Sequence, residues 1–155
     1  MSFQITALAA DRFEPLFALS GDQLADHLAV RVVADAKPGF PCRVSLEDAE
    51  IGEEVLLVNH QHQGEATPYQ ATHAVYVRKG ARQARPAMDE VPEQLITRTL
   101  SLRAFDERGM LVTADLAEGG ELASALNRLF DLPTASYVHI HYAKPGCYAA
   151  RADRA

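Results

Sequence analysis

The chemistry-bearing residues of this chain crowd into its tail. Between Tyr137 and Arg151 (YVHIHYAKPGCYAAR) stand two histidines, a cysteine, three tyrosines and an arginine. The AKPG of Ala143–Gly146 repeats that of Ala36–Gly39, and each copy is followed by a cysteine and an arginine: Cys42 and Arg43, then Cys147 and Arg151. A thiol beside imidazoles and a guanidinium has the types a nucleophilic site needs. Cys147 would attack, His139 or His141 would take its proton, and Arg151 would hold an anion. The plainer reading makes each cysteine a small buried hydrophobe.

Binding without reaction uses the same corner. Arg43 and Arg151 carry planar forks suited to a carboxylate or phosphate. Tyr137, His139, His141 and Tyr148 can wall a pocket for a small anionic or polar ligand. The ordinary structural role of either arginine is an ion pair with Glu47, Asp48 or Asp153. A third chemistry rests on alternate spacing. His60-x-His62 and His139-x-His141, with His73 near the first pair, could offer three or four imidazoles to zinc or iron. His60 and His62 fall where an apolar run becomes polar, so they read more simply as solvated loop residues, and no residue is assigned as a metal ligand.

The elements that must position these groups follow from pattern. Side chains alternate across a strand, so Tyr137, His139 and His141 share one face and Val138, Ile140 and Tyr142 the other. The apolar face should meet the core, leaving the histidines toward solvent or a cleft. Lys144-Pro145-Gly146-Cys147 reads as a tight turn. A returning strand would put Cys147, Ala149 and Arg151 on one face and Tyr148 and Ala150 on the other. Upstream, Leu122, Ala125, Leu126, Leu129 and Phe130 keep the spacing of one buried helix face.

Further strands are expected at Phe3–Ala7, Val30–Val33, Pro41–Ser45, Glu54–Asn59 and Thr72–Lys79, with a hairpin pairing Leu100–Phe105 and Met110–Asp115. Asp11 with Glu14, and Ser20 with Gln23, resemble capping boxes. The second opens a helix with Leu24 and Leu28 as an apolar pair. A short helix follows Pro92, and Gly119-Gly120 is a flexible turn. Many strands with scattered helices imply an α+β fold around a largely antiparallel sheet, in a single domain spanning residues 1–155.

Composition bounds the rest. The 155 residues are 48% apolar and 23% charged, with net charge −6. That acidity and the lack of any Lys/Arg run argue against nucleic acid. No apolar run approaches membrane-spanning length and no secretory leader is evident, so a cytoplasmic location is expected. Two cysteines there are thiols, with a redox pair as the lesser alternative.

The runs KPGFPCRVSLEDAEIGEEVLL (Lys37–Leu57), YQATHAVYVR (Tyr69–Arg78), LSLRAFDERGM (Leu100–Met110) and AKPGCYAARADR (Ala143–Arg154) together resemble a small bacterial family, catalogued as domain of unknown function 1203. The resemblance covers nearly the whole chain. It implies a single-domain bacterial protein with no assigned reaction, and supplies no catalytic residues or cofactor.

The leading expectation is therefore a small-molecule site where the Lys37–Arg43 and Tyr137–Arg151 segments meet. A Cys/His enzyme at that corner, a His-based metal protein, and a homo-oligomeric interaction module using the Tyr/His face are the alternatives.

Overall fold

The computed structural model describes residues 2–155. It is an α+β fold with two antiparallel sheets. Among the described residues, eight strands form in chain order: β1 (Phe3–Thr6), β2 (Ala29–Val33), β3 (Glu54–Gln63), β4 (Ala71–Arg78), β5 (Thr99–Phe105), β6 (Leu111–Glu118), β7 (Tyr137–Tyr142) and β8 (Tyr148–Arg154). The larger sheet runs β1-β8-β7-β5-β6 and the smaller β2-β3-β4. Helices α1 (Gly21–Asp26), α2 (Glu93–Ile96) and α3 (Leu122–Phe130) complete it. Among the described residues, no helix is long and apolar enough to cross a membrane.

One face of the larger sheet is conventional core. Leu100, Leu102, Val138, Ile140, Ala150, Ala152, Phe3 and Ile5 pack with Leu122, Ala125, Leu126 and Phe130 of α3. The smaller sheet packs its own cluster: Leu56 and Val58 of β3 and Val75 and Val77 of β4 meet Phe13, Leu24, Cys42 and Val44. The histidines extend these inward rows. His60 and His62 continue the row of Leu56 and Val58, and His60 pairs with His73 across the β3–β4 ladder.

Several local expectations are corrected. Asp11 caps nothing: two 3-10 turns, Ala10–Arg12 and Glu14–Ala18, occupy that stretch without a side-chain cap, and Asp11 falls inside the first turn, with Ala9 at the position before it. Leu28 does not pair with Leu24. It lies beyond the end of α1 at φ 52° and is 70% exposed. The Ser20/Gln23 capping box is present. Pro41–Ser45 is not a strand. Only single bridges form there, and Leu46 N–H returns to the Cys42 carbonyl, folding the segment into a turn. Gly119 is closely packed: its N–H donates to the Arg98 carbonyl at 2.9 Å.

Candidate histidine site between the sheets

The tail strand is buried on both faces. Its histidine face turns neither to solvent nor to an open cleft but toward the smaller sheet, whose side chains cover it. His139 and His141 are 2% and 3% exposed. Against them stand His62 and His73 from the other sheet. The His62 ring centroid lies 5.0 Å from that of His141, 5.6 Å from His139, and 4.8 Å from His73, with which it stacks. Tyr148 stacks on the other side of His62, at 5.1 Å.

His60 and His62 are thus strand residues, not loop residues. β3 continues to Gln63 despite its polar end, since β4 pairs along its length with a bulge between Gln61 and Gln63. Gln63 is itself buried and donates to the Tyr137 hydroxyl at 2.8 Å. Polarity at the end of the run marks a polar interior, not a surface.

The faces of β8 also differ from simple alternation. A bulge shifts register between Ile140 and His141, so that His141 pairs with Tyr148 while Ile140 pairs with Ala150. One extra residue reverses the alternation. Tyr148 therefore joins Arg151 on the histidine face, and Ala149 and Ala150 enter the core. Cys147 is not on that face; it packs partly buried against the core cluster.

The two AKPG-following segments touch through Arg43, which is 1% exposed. Its Nε donates to the Tyr148 carbonyl at 2.8 Å, Nη1 to the Pro41 carbonyl at 2.6 Å, and Nη2 to Cys147 Sγ at 3.0 Å. The guanidinium also sits 5.0 Å from the Tyr142 ring. No carboxylate pairs with it among the described residues. Arg43 ties the corner together by groups of the protein itself. Arg151 does find an acid: Asp153 accepts from its Nε and Nη2, at 2.9 Å and 2.6 Å. Its guanidinium lies over Tyr137, 4.0 Å from the ring centroid. Both cysteines are free thiols, and Cys42 Sγ accepts from the backbone N–H groups of Ser45 and Arg78.

The electrostatics follow from burial. Desolvation pushes His139 down to about 3, with His141, Arg151 and Arg103 adding to the effect. His62 is likewise lowered to about 3 by burial and by its histidine neighbours. His141 and His60 fall to about 4, again chiefly through burial, and His73 is lowered for the same first reason. These rings are held neutral, the form that binds metals. Buried, they leave ring nitrogens without a hydrogen-bond partner: both of His62, Nδ1 of His73, Nδ1 of His139 and Nε2 of His141.

Ligating nitrogens of His62, His139 and His141 all lie within 4.8 Å of one another. A tetrahedral ion with bonds of about 2.0–2.1 Å needs them about 3.3 Å apart, so modest side-chain rotation would close the set. A cleft of about 500 Å³ lies elsewhere, near Lys37, Glu47, Asp48, Arg78 and Arg98. Its arginines are already paired, Arg78 with Glu47 and Glu53, and Arg98 with Asp48.

Sequence reasoning raised His62 and His73 only as an unassigned metal-binding alternative, and left out Arg103 altogether. Arg103 stands opposite His139 in the β5–β7 ladder, a neighbour visible only once that pairing is known. The family model described as "Protein of unknown function (DUF1203)" matches residues 39–154. No curated protein and no solved structure matches the chain.

Proposed function

The chain belongs to the family described as protein of unknown function (DUF1203), and we propose that its function is to bind a divalent first-row metal ion, zinc in the first instance, through His62, His139 and His141. The supporting observation is the set of buried ring nitrogens without partners, converging from two sheets. Buried polar atoms are nearly always hydrogen-bonded, and leaving one bare costs about 1–3 kcal/mol. Several bare imidazole nitrogens within reach of one another suit a cation that accepts their lone pairs.

The hydrogen-bond pattern supports the same reading. His141 Nδ1 lies 3.0 Å from the Gly146 carbonyl. A carbonyl only accepts, so the hydrogen sits on Nδ1 and Nε2 presents its lone pair inward. Ligating histidines are commonly oriented in this way. Three imidazoles leave a coordination position free for water or a ligand, the arrangement of catalytic rather than structural zinc sites. His73, stacked on His62, is the nearest further donor.

The small-molecule site expected where Lys37–Arg43 meets Tyr137–Arg151 belongs to the same proposal, displaced toward the histidines because Arg43 is occupied by protein groups. A cytoplasmic setting fits two free thiols. The test is metal titration of chelator-stripped protein with Zn(II), followed by gel filtration and metal analysis. One equivalent should be retained by wild type and lost in the His139→Ala/His141→Ala variant. Wild-type protein emerging without zinc would overturn the proposal.

A further inference from the structure

We infer that the position left free on the metal is filled by a small carboxylate, held at its other oxygen by Arg103. The inference rests on the metal-site reading and adds to it the chemical class of the ligand.

Arg103 differs from Arg43 and Arg151. Arg43 is engaged by two carbonyls and a sulfur, and Arg151 by Asp153. The side chain of Arg103 has neither an ion pair nor a hydrogen bond among the described residues. Its guanidinium sits instead beside two rings, 5.6 Å from the Phe105 centroid and 5.9 Å from that of Tyr69. Phe105 is in turn 5.2 Å from the His139 ring. Tyr69 is carried there by the β3–β4 connection, which is tied to the β5–β6 turn by the Thr67 hydroxyl donating to the Gly109 carbonyl at 3.1 Å. The fork is thus flanked by aromatic rings while its five donors find no acceptor among the described residues.

Charge points the same way. His139 is flanked in the sheet by Arg151 of β8, neutralised by Asp153, and by Arg103 of β5, which is not. A dication on three neutral imidazoles would therefore face uncompensated positive charge. An anion bridging metal and guanidinium relieves it. A carboxylate suits the geometry because one oxygen can bind the metal while the other accepts from the planar fork.

Linkage makes the experiment selective: an anion that binds with the metal must raise metal affinity by the factor by which metal raises its own. Co(II) is titrated into stripped protein in a buffer free of coordinating anions, with and without acetate, and the visible spectrum is recorded. In wild type, acetate should tighten Co(II) binding by about tenfold, within the usual range for such coupling, and shift the spectrum. Arg103→Gln should bind Co(II) at least as tightly without acetate, since a repelling cation is gone, and should lose most of the acetate effect. Arg103→Lys should keep part of it. Equal acetate effects in wild type and Arg103→Gln, or none in either while Co(II) binds, would overturn the carboxylate inference and leave the metal site standing. Absence of Co(II) uptake would remove both. Inorganic phosphate serves as comparator; a larger effect than acetate's, equally dependent on Arg103, would overturn the assignment to carboxylates.

Discussion

His141 and Gly146 are joined across the β7–β8 turn by an Nδ1–H···O=C bond of 3.0 Å. Gly146 adopts φ 81° there, and a Cβ at that position would meet nothing within 4 Å. The glycine is needed for its backbone conformation and not for space. Gly146→Ala should thus cost about 1–2 kcal/mol of left-handed strain, measured by urea denaturation. Because the carbonyl orients His141, zinc affinity should also fall, by about 10-fold if the bond is lost. Unchanged zinc affinity in a folded Gly146→Ala protein would separate the turn from the site.

Arg43 should prove structural. Replacing it with Met strips the Tyr148 and Pro41 carbonyls of a charged donor in a region closed to water. Hydrogen bonds from charged groups contribute about 1.5–3 kcal/mol each, so a loss of about 3 kcal/mol or more is expected in chemical denaturation. A loss below 1 kcal/mol, roughly the worth of one neutral hydrogen bond, would show that solvent reaches those carbonyls.

The buried histidines set an acid limit on stability. Native values of about 3 for His62 and His139 and about 4 for His60 and His141 lie below the unfolded value, near 6.5. The unfolded chain therefore binds protons that the native chain excludes. Stability from this source is complete above about pH 6.5 and declines as pH falls toward the native values. The urea midpoint of metal-free protein should drop steadily between pH 7 and 5, and His139→Gln should flatten the slope. A midpoint constant over that interval would mean that the imidazoles are solvated.

Gly119 predicts a steric effect. A Cβ there would stand 1.9 Å from the Leu95 carbonyl oxygen and 2.5 Å from Ile96 backbone atoms. Gly119→Ala must move α2 or the turn before α3. The expected loss is about 1–3 kcal/mol, readable by thermal melting, whereas Gly120→Ala, with open space around it, should change little.

Much of the fold could be read from local pattern. The helix at Leu122–Phe130 shows its buried stripe directly, and the two β-hairpins declare themselves by apolar runs around turn residues. The tail's concentration of polar and reactive side chains was also legible. The site itself was not. Its histidines come from two sheets, and no local rule says which strands will face each other. His60 and His62 resemble loop residues because their neighbours Asn59, Gln61 and Gln63 are polar, yet Gln63 is buried against Tyr137. Strict alternation put Cys147 beside Arg151, and one bulged residue substituted Tyr148. Arg103 carries no local signal, and it becomes notable only through its place opposite His139 and the absence of an acid paired with it among the described residues.

The placement of His62 on one sheet and His139 and His141 on the other has a mechanical consequence. Each sheet has its own apolar cluster, so in the metal-free protein the two halves can open at different free energies, which amide hydrogen exchange would register as separate protection classes. An ion gripped from both sides would join those halves into one unfolding unit, with slow exchange spreading from β7 into β3.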